Sequence, residues 1–219
     1  MHPSSLERHA CMINQAELLP SPPRYAVIAG ITALAVAGAL MMAGQALGIV
    51  GAKSLAEAAT FIVLIWLYPE PKGRRWSFNS VVAFLMTGVA IGTVWVSFIG
   101  VRFPNSEASE WSNFPFSLVV LGFINACITA PLFEEKIVRH LLFRGIEEKT
   151  NSFLASIIVS IIFAVPHTGS VIWAFFVSMV LCWLTVKWAL NTWQRAIVHG
   201  SINLLIMLWS LTSGFGLMK

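Results

Sequence analysis

Seven stretches of apolar residues, at about 25–50, 55–69, 80–101, 116–142, 152–166, 171–190 and 194–214, take up most of this chain. Most of them approach the roughly 20 residues that an α-helix needs to cross a hydrocarbon core. That feature leaves few folds open. In lipid every backbone N–H and C=O must be paired inside the protein, so spanning segments are helices or closed barrels. Long uninterrupted apolar runs are the helical case. Charge agrees: 57% of the 219 residues are hydrophobic and 11% are charged, against about 45–50% and 25% in soluble domains. The chain therefore reads as an all-α, polytopic integral membrane bundle of about seven transmembrane helices. Residues 25–219 form a single transmembrane domain, and the polar, proline-bearing stretch 1–24 is expected to be a mobile N-terminal tail.

The fourth stretch is too long for one straight span, and Pro131 inside it is expected to kink it. The first is longer than a signal-peptide core and is read as retained. Gly44/Gly48 and Gly88/Gly92 each form a GxxxG spacing, which predicts close helix packing. Lys and Arg set the orientation. With the N-terminus inside, Arg8, Arg24, Lys72, Arg74, Arg75, Arg144, Lys149, Lys187 and Arg195 fall on the cytoplasmic side, and Lys53, Arg102 and Lys219 fall outside. This predicts a multi-pass protein of a bacterial-type plasma membrane with a cytoplasmic N-terminus. Trp66, Trp76, Trp111, Trp188 and Trp193 near the stretch ends fit an interfacial belt.

Several functions drop out. Three cysteines in a chain of this length do not make a disulfide scaffold. The 14 Lys and Arg residues do not cluster into a groove-sized patch, so no nucleic-acid partner is expected. All ten acidic residues are Glu, which removes an aspartyl intramembrane protease and a Ser-His-Asp triad. No HExxH, P-loop or dinucleotide fingerprint occurs. Cys11 lies in the tail, and Cys127 and Cys182 sit in apolar helix, where packing is the default role. Ser201 lies two residues from His199, so the two point apart on a helix.

The informative residues are polar ones inside apolar helices, where an ionisable group costs about 2.5–3.5 kcal/mol on insertion scales. The fourth stretch contains Glu134, Glu135, Lys136 and Arg139. Glu135 and Arg139 share a face at i,i+4 and can pair, while Glu134 points about 100° away and stays free. The plain alternative is a wet helix end at the interface. In the fifth stretch Phe163 and His167 share a face, and in the last His199 and Asn203 do. Alone, each His has a structural reading, such as an interhelical hydrogen bond. Together they make a set able to activate water and stabilise an oxyanion.

Glu134-Glu135-x-x-x-Arg139, Phe163-x-x-x-His167 and His199-x-x-x-Asn203, in that order, resemble the three motifs of the CAAX-protease and bacteriocin-processing (CPBP) family. These are glutamic intramembrane proteases related to the type II CAAX prenyl endopeptidase. The resemblance covers about residues 116–205, which it marks as the catalytic core. It implies a Glu/His-activated water at Glu134 and His167, an oxyanion site at His199 and Asn203, and supporting roles for Glu135, Arg139 and Phe163. It also implies a membrane-anchored protein or peptide as substrate and no cofactor. Two departures from the family pattern bear on register. Lys136 stands where the family usually has an apolar residue, which implies water or lipid headgroups nearby. His140, not Gly, follows Arg139, while an Arg-Gly pair occurs at Arg144-Gly145, so either Arg139 or Arg144 could hold the glutamate.

Two rival readings remain. Glu134, Glu135, His167 and His199 could ligate Zn²⁺ in a metal-dependent version of the same protease. The chain could also be a non-proteolytic membrane scaffold or bacteriocin-immunity-type protein. For the three motifs to meet at one depth, the last helix is expected to run from about Lys187 or re-enter there, around a water-filled cavity.

Overall fold

The computed structural model describes residues 25–100 and 114–214; the tail 1–24, with Arg8, Cys11 and Arg24, and also Arg102, Trp111 and Lys219 lie outside the described residues. All regular structure among the described residues is helical. Helix α1 is Ala26–Ala46, α2 is Ala52–Leu67, and α3 is Phe78–Trp95 with a π-helical continuation at Val96–Gly100. Helix α4 is the continuous run Phe116–Glu147, α5 is Ser152–Ala164, α6 is Val171–Lys187 and α7 is Thr192–Gly214. Each of the seven apolar stretches thus forms a helix. Four of them, α1, α3, α4 and α7, are long and apolar enough to cross a membrane, and α5 and α6 are shorter apolar helices.

The outside of the bundle is greasy. Phe78, Phe116 and Trp66 are exposed over 80% or more of their surface, which water would not tolerate on this scale and lipid does. Helix α7 is different. Of its apolar window 56% is buried, against 17% to 22% in α1, α3 and α4. It is the central element, packed along α3 and against α4. Gly88 and Gly92 of α3 make that approach possible: a Cβ on Gly88 would run into the Val198 carbonyl and Ser201, and one on Gly92 would crowd Leu205. The second GxxxG works differently. Gly44 abuts Ala52, but a Cβ at Gly48 would meet only open space, and Gly48 has φ +70, so it turns the chain after α1 rather than packing a helix.

Helix α4 carries the irregularity expected at Pro131. It is π-helical at Asn125–Thr129, α-helical at Ala130–Glu134 and π-helical again at Glu135–Phe143. Pro131 has no N–H, so it offers no donor to the carbonyls four and five residues before it, Cys127 and Ala126. Helix α7 meets both. Asn203 Nδ2 donates to the Ala126 carbonyl at 2.7 Å, and Gly200 lies so close to the Cys127 carbonyl that a side chain would not fit.

The last helix does not start near Lys187. Helix α6 ends there, Ala189 turns the chain with φ 49, and α7 begins at Thr192. The cause is local: Gln194 N–H donates to Asn191 Oδ1 at 3.1 Å, and Asn191 N–H donates to Gln194 Oε1 at 3.2 Å, a reciprocal cap that begins a new helix. Helix α5 has 13 residues, or about 20 Å, short of a roughly 30 Å hydrocarbon core. The turn after it carries His167.

Candidate active site

Glu135 opens the second π-helical segment of α4, and Arg139 follows one turn later. Both side chains are 0% exposed, with Arg139 Nη1 at 3.2 Å from Glu135 Oε1. The reading of this pair as a wet helix end is overturned. Arg139, not Arg144, is the partner; Arg144 pairs with Glu147 at 2.5 Å. The Arg139 guanidinium also lies 4.5 Å from the centroid of the Phe163 ring, a cation–π contact. Its nitrogens find no well-aligned hydrogen-bond acceptor among the described residues, so charge and the ring face hold it. Glu134 faces another way, with its side chain 25% exposed.

Helix α7 brings His199 onto these carboxylates. Its Nδ1 is 3.0 Å from Glu135 Oε1, and its Nε2 is 3.8 Å from Glu134 Oε2. A carboxylate only accepts, so Nδ1 carries a proton and donates it. His167 Nδ1 lies 2.7 Å from the Phe163 carbonyl and donates to it, since a carbonyl oxygen only accepts, which leaves Nε2 as the ring nitrogen not engaged by that bond. Phe163 is the common wall. The His167 ring lies 4.6 Å from it, and the His199 ring meets it edge-on at 5.8 Å. Phe163, His167, Ser170, Trp173, His199 and Asn203 help to line a cavity of about 160 Å³, room for several water molecules. Phe163 and His199 join the three motifs, while the cavity lining comes from the second and third and does not include Glu134. Among the described residues, no group of three His, Cys or Glu side chains is placed to hold a metal ion.

Residues 115–205 match a family model described as Type II CAAX prenyl endopeptidase Rce1-like. The chain carries an Rce1-like segment. No curated protein and no solved structure matches. The Rce1-like segment runs from the residue before α4 into α7 and contains every site residue nominated from the motifs. The resemblance read from those motifs and the family match coincide.

Three further residues reach this site, and two of them lie outside the matched segment. Arg195, counted above as a cytoplasmic loop charge, is 2% exposed inside α7. It stands one turn before His199, with Nε 3.4 Å from Glu135 Oε2 and Nη2 3.7 Å from Glu70 Oε2. The series Arg195, His199, Asn203 at i, i+4, i+8 was the signal that could have found it. Glu70, in the loop after α2, also accepts from the Thr192 N–H at 2.7 Å and from the Thr192 hydroxyl. Lys136, expected from the sequence to mark water or headgroups, is buried. It is 1% exposed, and its Nζ donates to the Tyr68 carbonyl at 2.5 Å and lies 3.4 Å from Glu70 and 2.7 Å from His140 Nδ1. Glu57 of α2 accepts from Asn125 Nδ2 at 2.7 Å and so braces the π-helical turn whose Ala126 carbonyl holds Asn203. As a lone carboxylate in an apolar stretch it was visible in the sequence.

Glu70 makes a pH prediction. Burial pushes its carboxyl up, but the His140 hydrogen bond and the charges of Arg195 and Lys136 outweigh burial and hold it well below the ordinary 4.5. A carboxyl held low stabilises the fold above its ordinary value, and that stability is lost as pH falls through the folded value. The thermal midpoint in detergent should therefore drop as pH falls below about 4.5, and Glu70→Gln should lack that part of the drop. Overlapping acid profiles for the two proteins would refute this.

Proposed function

We propose that this protein is an intramembrane endopeptidase that hydrolyses a peptide bond of a membrane-anchored protein or peptide by means of a water activated by Glu134 and His167. The observation that supports the reading is the convergence of the three motifs at Phe163 and His199, inside a segment that matches the type II CAAX prenyl endopeptidase family. Glu134 suits the role of base. No Lys or Arg among the described residues pairs with it, and His199 Nε2 lies 3.8 Å from its Oε2. Glu135, held by Arg139 and His199, suits support. In the proposed step, water loses a proton to Glu134, with His167 Nε2 as second acceptor, and its oxygen attacks the carbonyl carbon. The oxyanion that forms faces His199 and Asn203. The proton then passes to the leaving amine as the C–N bond breaks. For His199 to donate to the oxyanion from Nε2 while Nδ1 donates to Glu135, both ring nitrogens must carry hydrogen, with Glu135 as the counter-charge. The orientation that fits is the one with a cytoplasmic N-terminus in a bacterial-type plasma membrane.

Comparison of membrane extracts from cells making the wild type or Glu134→Gln tests the reading. New peptide termini in membrane proteins should appear with the wild type alone; identical sets of termini would sink it. Asn203 has one Nδ2 hydrogen on the Ala126 carbonyl and a second to offer. Asn203→Ala should lower kcat by roughly 10²–10³, the scale of one oxyanion donor, with KM little changed. A change in KM alone would make Asn203 a substrate-positioning residue.

A further inference from the structure

We propose that Arg195 is a positioning residue for the hydrolytic site, and that Glu70 fixes Arg195 in that role. The inference rests on the endopeptidase reading above. Glu135 has two oxygens with different company. Oε1 takes His199 Nδ1 at 3.0 Å and Arg139 at 3.2 Å. Oε2 has no hydrogen-bond partner among the described residues, and the cation facing it is Arg195 Nε at 3.4 Å. Two guanidinium groups, one on each oxygen, set the plane of the carboxylate. That plane sets the direction of the His199 Nδ1–H bond, and with it the aim of Nε2 toward Glu134.

Arg195 is itself held. Its Nη1 donates to the Leu190 carbonyl, its Nη2 donates to Thr192 Oγ1 at 3.2 Å, and Nη2 lies 3.7 Å from Glu70 Oε2. Three anchors at the far end of the fork leave Nε a fixed strut. Glu70 binds the first residue of α7 as well, through the Thr192 N–H and hydroxyl. A carboxylate from the loop after α2 thus fixes both the start of α7 and the arginine one turn before its histidine. Lysine would keep the charge at position 195 but not the fork, and it could not hold all these contacts at once. A role confined to charge balance in the core would leave the His199 ring where it is; a positioning role would not.

The test uses the full chain in detergent micelles with ¹⁵N-labelled histidine. The chain has five histidines, and a His199→Gln sample assigns the His199 resonances. Turnover is measured on a quenched fluorescent peptide ending in a prenylated CAAX sequence. Arg195→Gln should lower kcat by roughly tenfold to a hundredfold, the scale seen when a group that orients a working side chain is lost, while KM changes by less than about twofold. The His199 Nδ1–H resonance should move with it. Arg195→Lys should recover part of both effects, and Glu70→Gln should move the same resonance by less. A folded Arg195→Gln protein with wild-type kcat, or with an unmoved His199 resonance, overturns the proposal. If Arg195→Gln does not fold, Glu70→Gln decides, and an unmoved His199 resonance there overturns it. If the wild type cleaves no peptide, the endopeptidase reading fails by itself, and the His199 resonance still decides whether Arg195 orients the ring.

Discussion

Glu134→Gln is expected to lower the rate of peptide hydrolysis by roughly 10²–10⁴, the scale of a lost general base, and to leave the protein folded. The amide keeps the shape of the carboxylate and removes its basicity. The fold should survive because Glu134 is a quarter exposed, no Lys or Arg among the described residues pairs with it, and the histidine 3.8 Å away is held by Glu135. Purified wild type and variant, compared on one peptide at equal folded concentration, give the ratio. Turnover by the variant within a few-fold of the wild type would remove Glu134 from the chemistry.

The second large effect falls on the neighbouring residue and on stability. Glu135 is the anion for Arg139, Arg195 and His199 together. Removing one partner of a buried ion pair costs about 3–5 kcal/mol, because the remaining charge stays buried and unpaired. Glu135→Ala leaves two buried guanidinium groups with less to balance them, so it should reach or exceed that range. Arg139→Ala should fall at the lower end, since Arg195 still faces the same carboxylate. Thermal unfolding in one detergent ranks the two variants. If Arg139→Ala proves the more damaging, Glu135 is not the hub of the cluster.

Much of the fold was legible because apolar runs in lipid leave the backbone one common solution. Helices α1 to α7 follow the seven stretches. The start of α7 was legible to within two residues, at about 194 against Thr192; the expectation that moved it to about Lys187 came from placing the three motifs at one depth, and the cap at Asn191 and Gln194 shows why the helix begins anew. The site was legible as three i,i+4 pairs, because helical period says which residues share a face. It does not say which faces meet. The partners Glu70 and Lys136, 66 residues apart in the chain, and Arg195 with Glu135 follow from how the loop after α2 folds back on α4 and α7. No local pattern announces that contact. Arg195 was misread for a related reason: a basic residue at the end of an apolar run usually marks a wet loop, and here it lies buried in the first turn of α7.

The central place of α7 has a consequence for biogenesis. Helix α7 emerges from the ribosome after the other six, yet it supplies Arg195, His199 and Asn203 and fills the middle of the bundle. Before it arrives, Glu135 lacks two of its three partners, and the Ala126 carbonyl lacks the Asn203 donor. The candidate site can therefore be completed only after α7 is inserted among its neighbours. A nascent chain still being threaded into the bilayer, in the crowd of other unfinished membrane proteins at the insertion machinery, carries the glutamates of α4 without the groups that organise them. Position along the chain acts here as a timer, and it delays a complete candidate site until synthesis has passed the last of these helices.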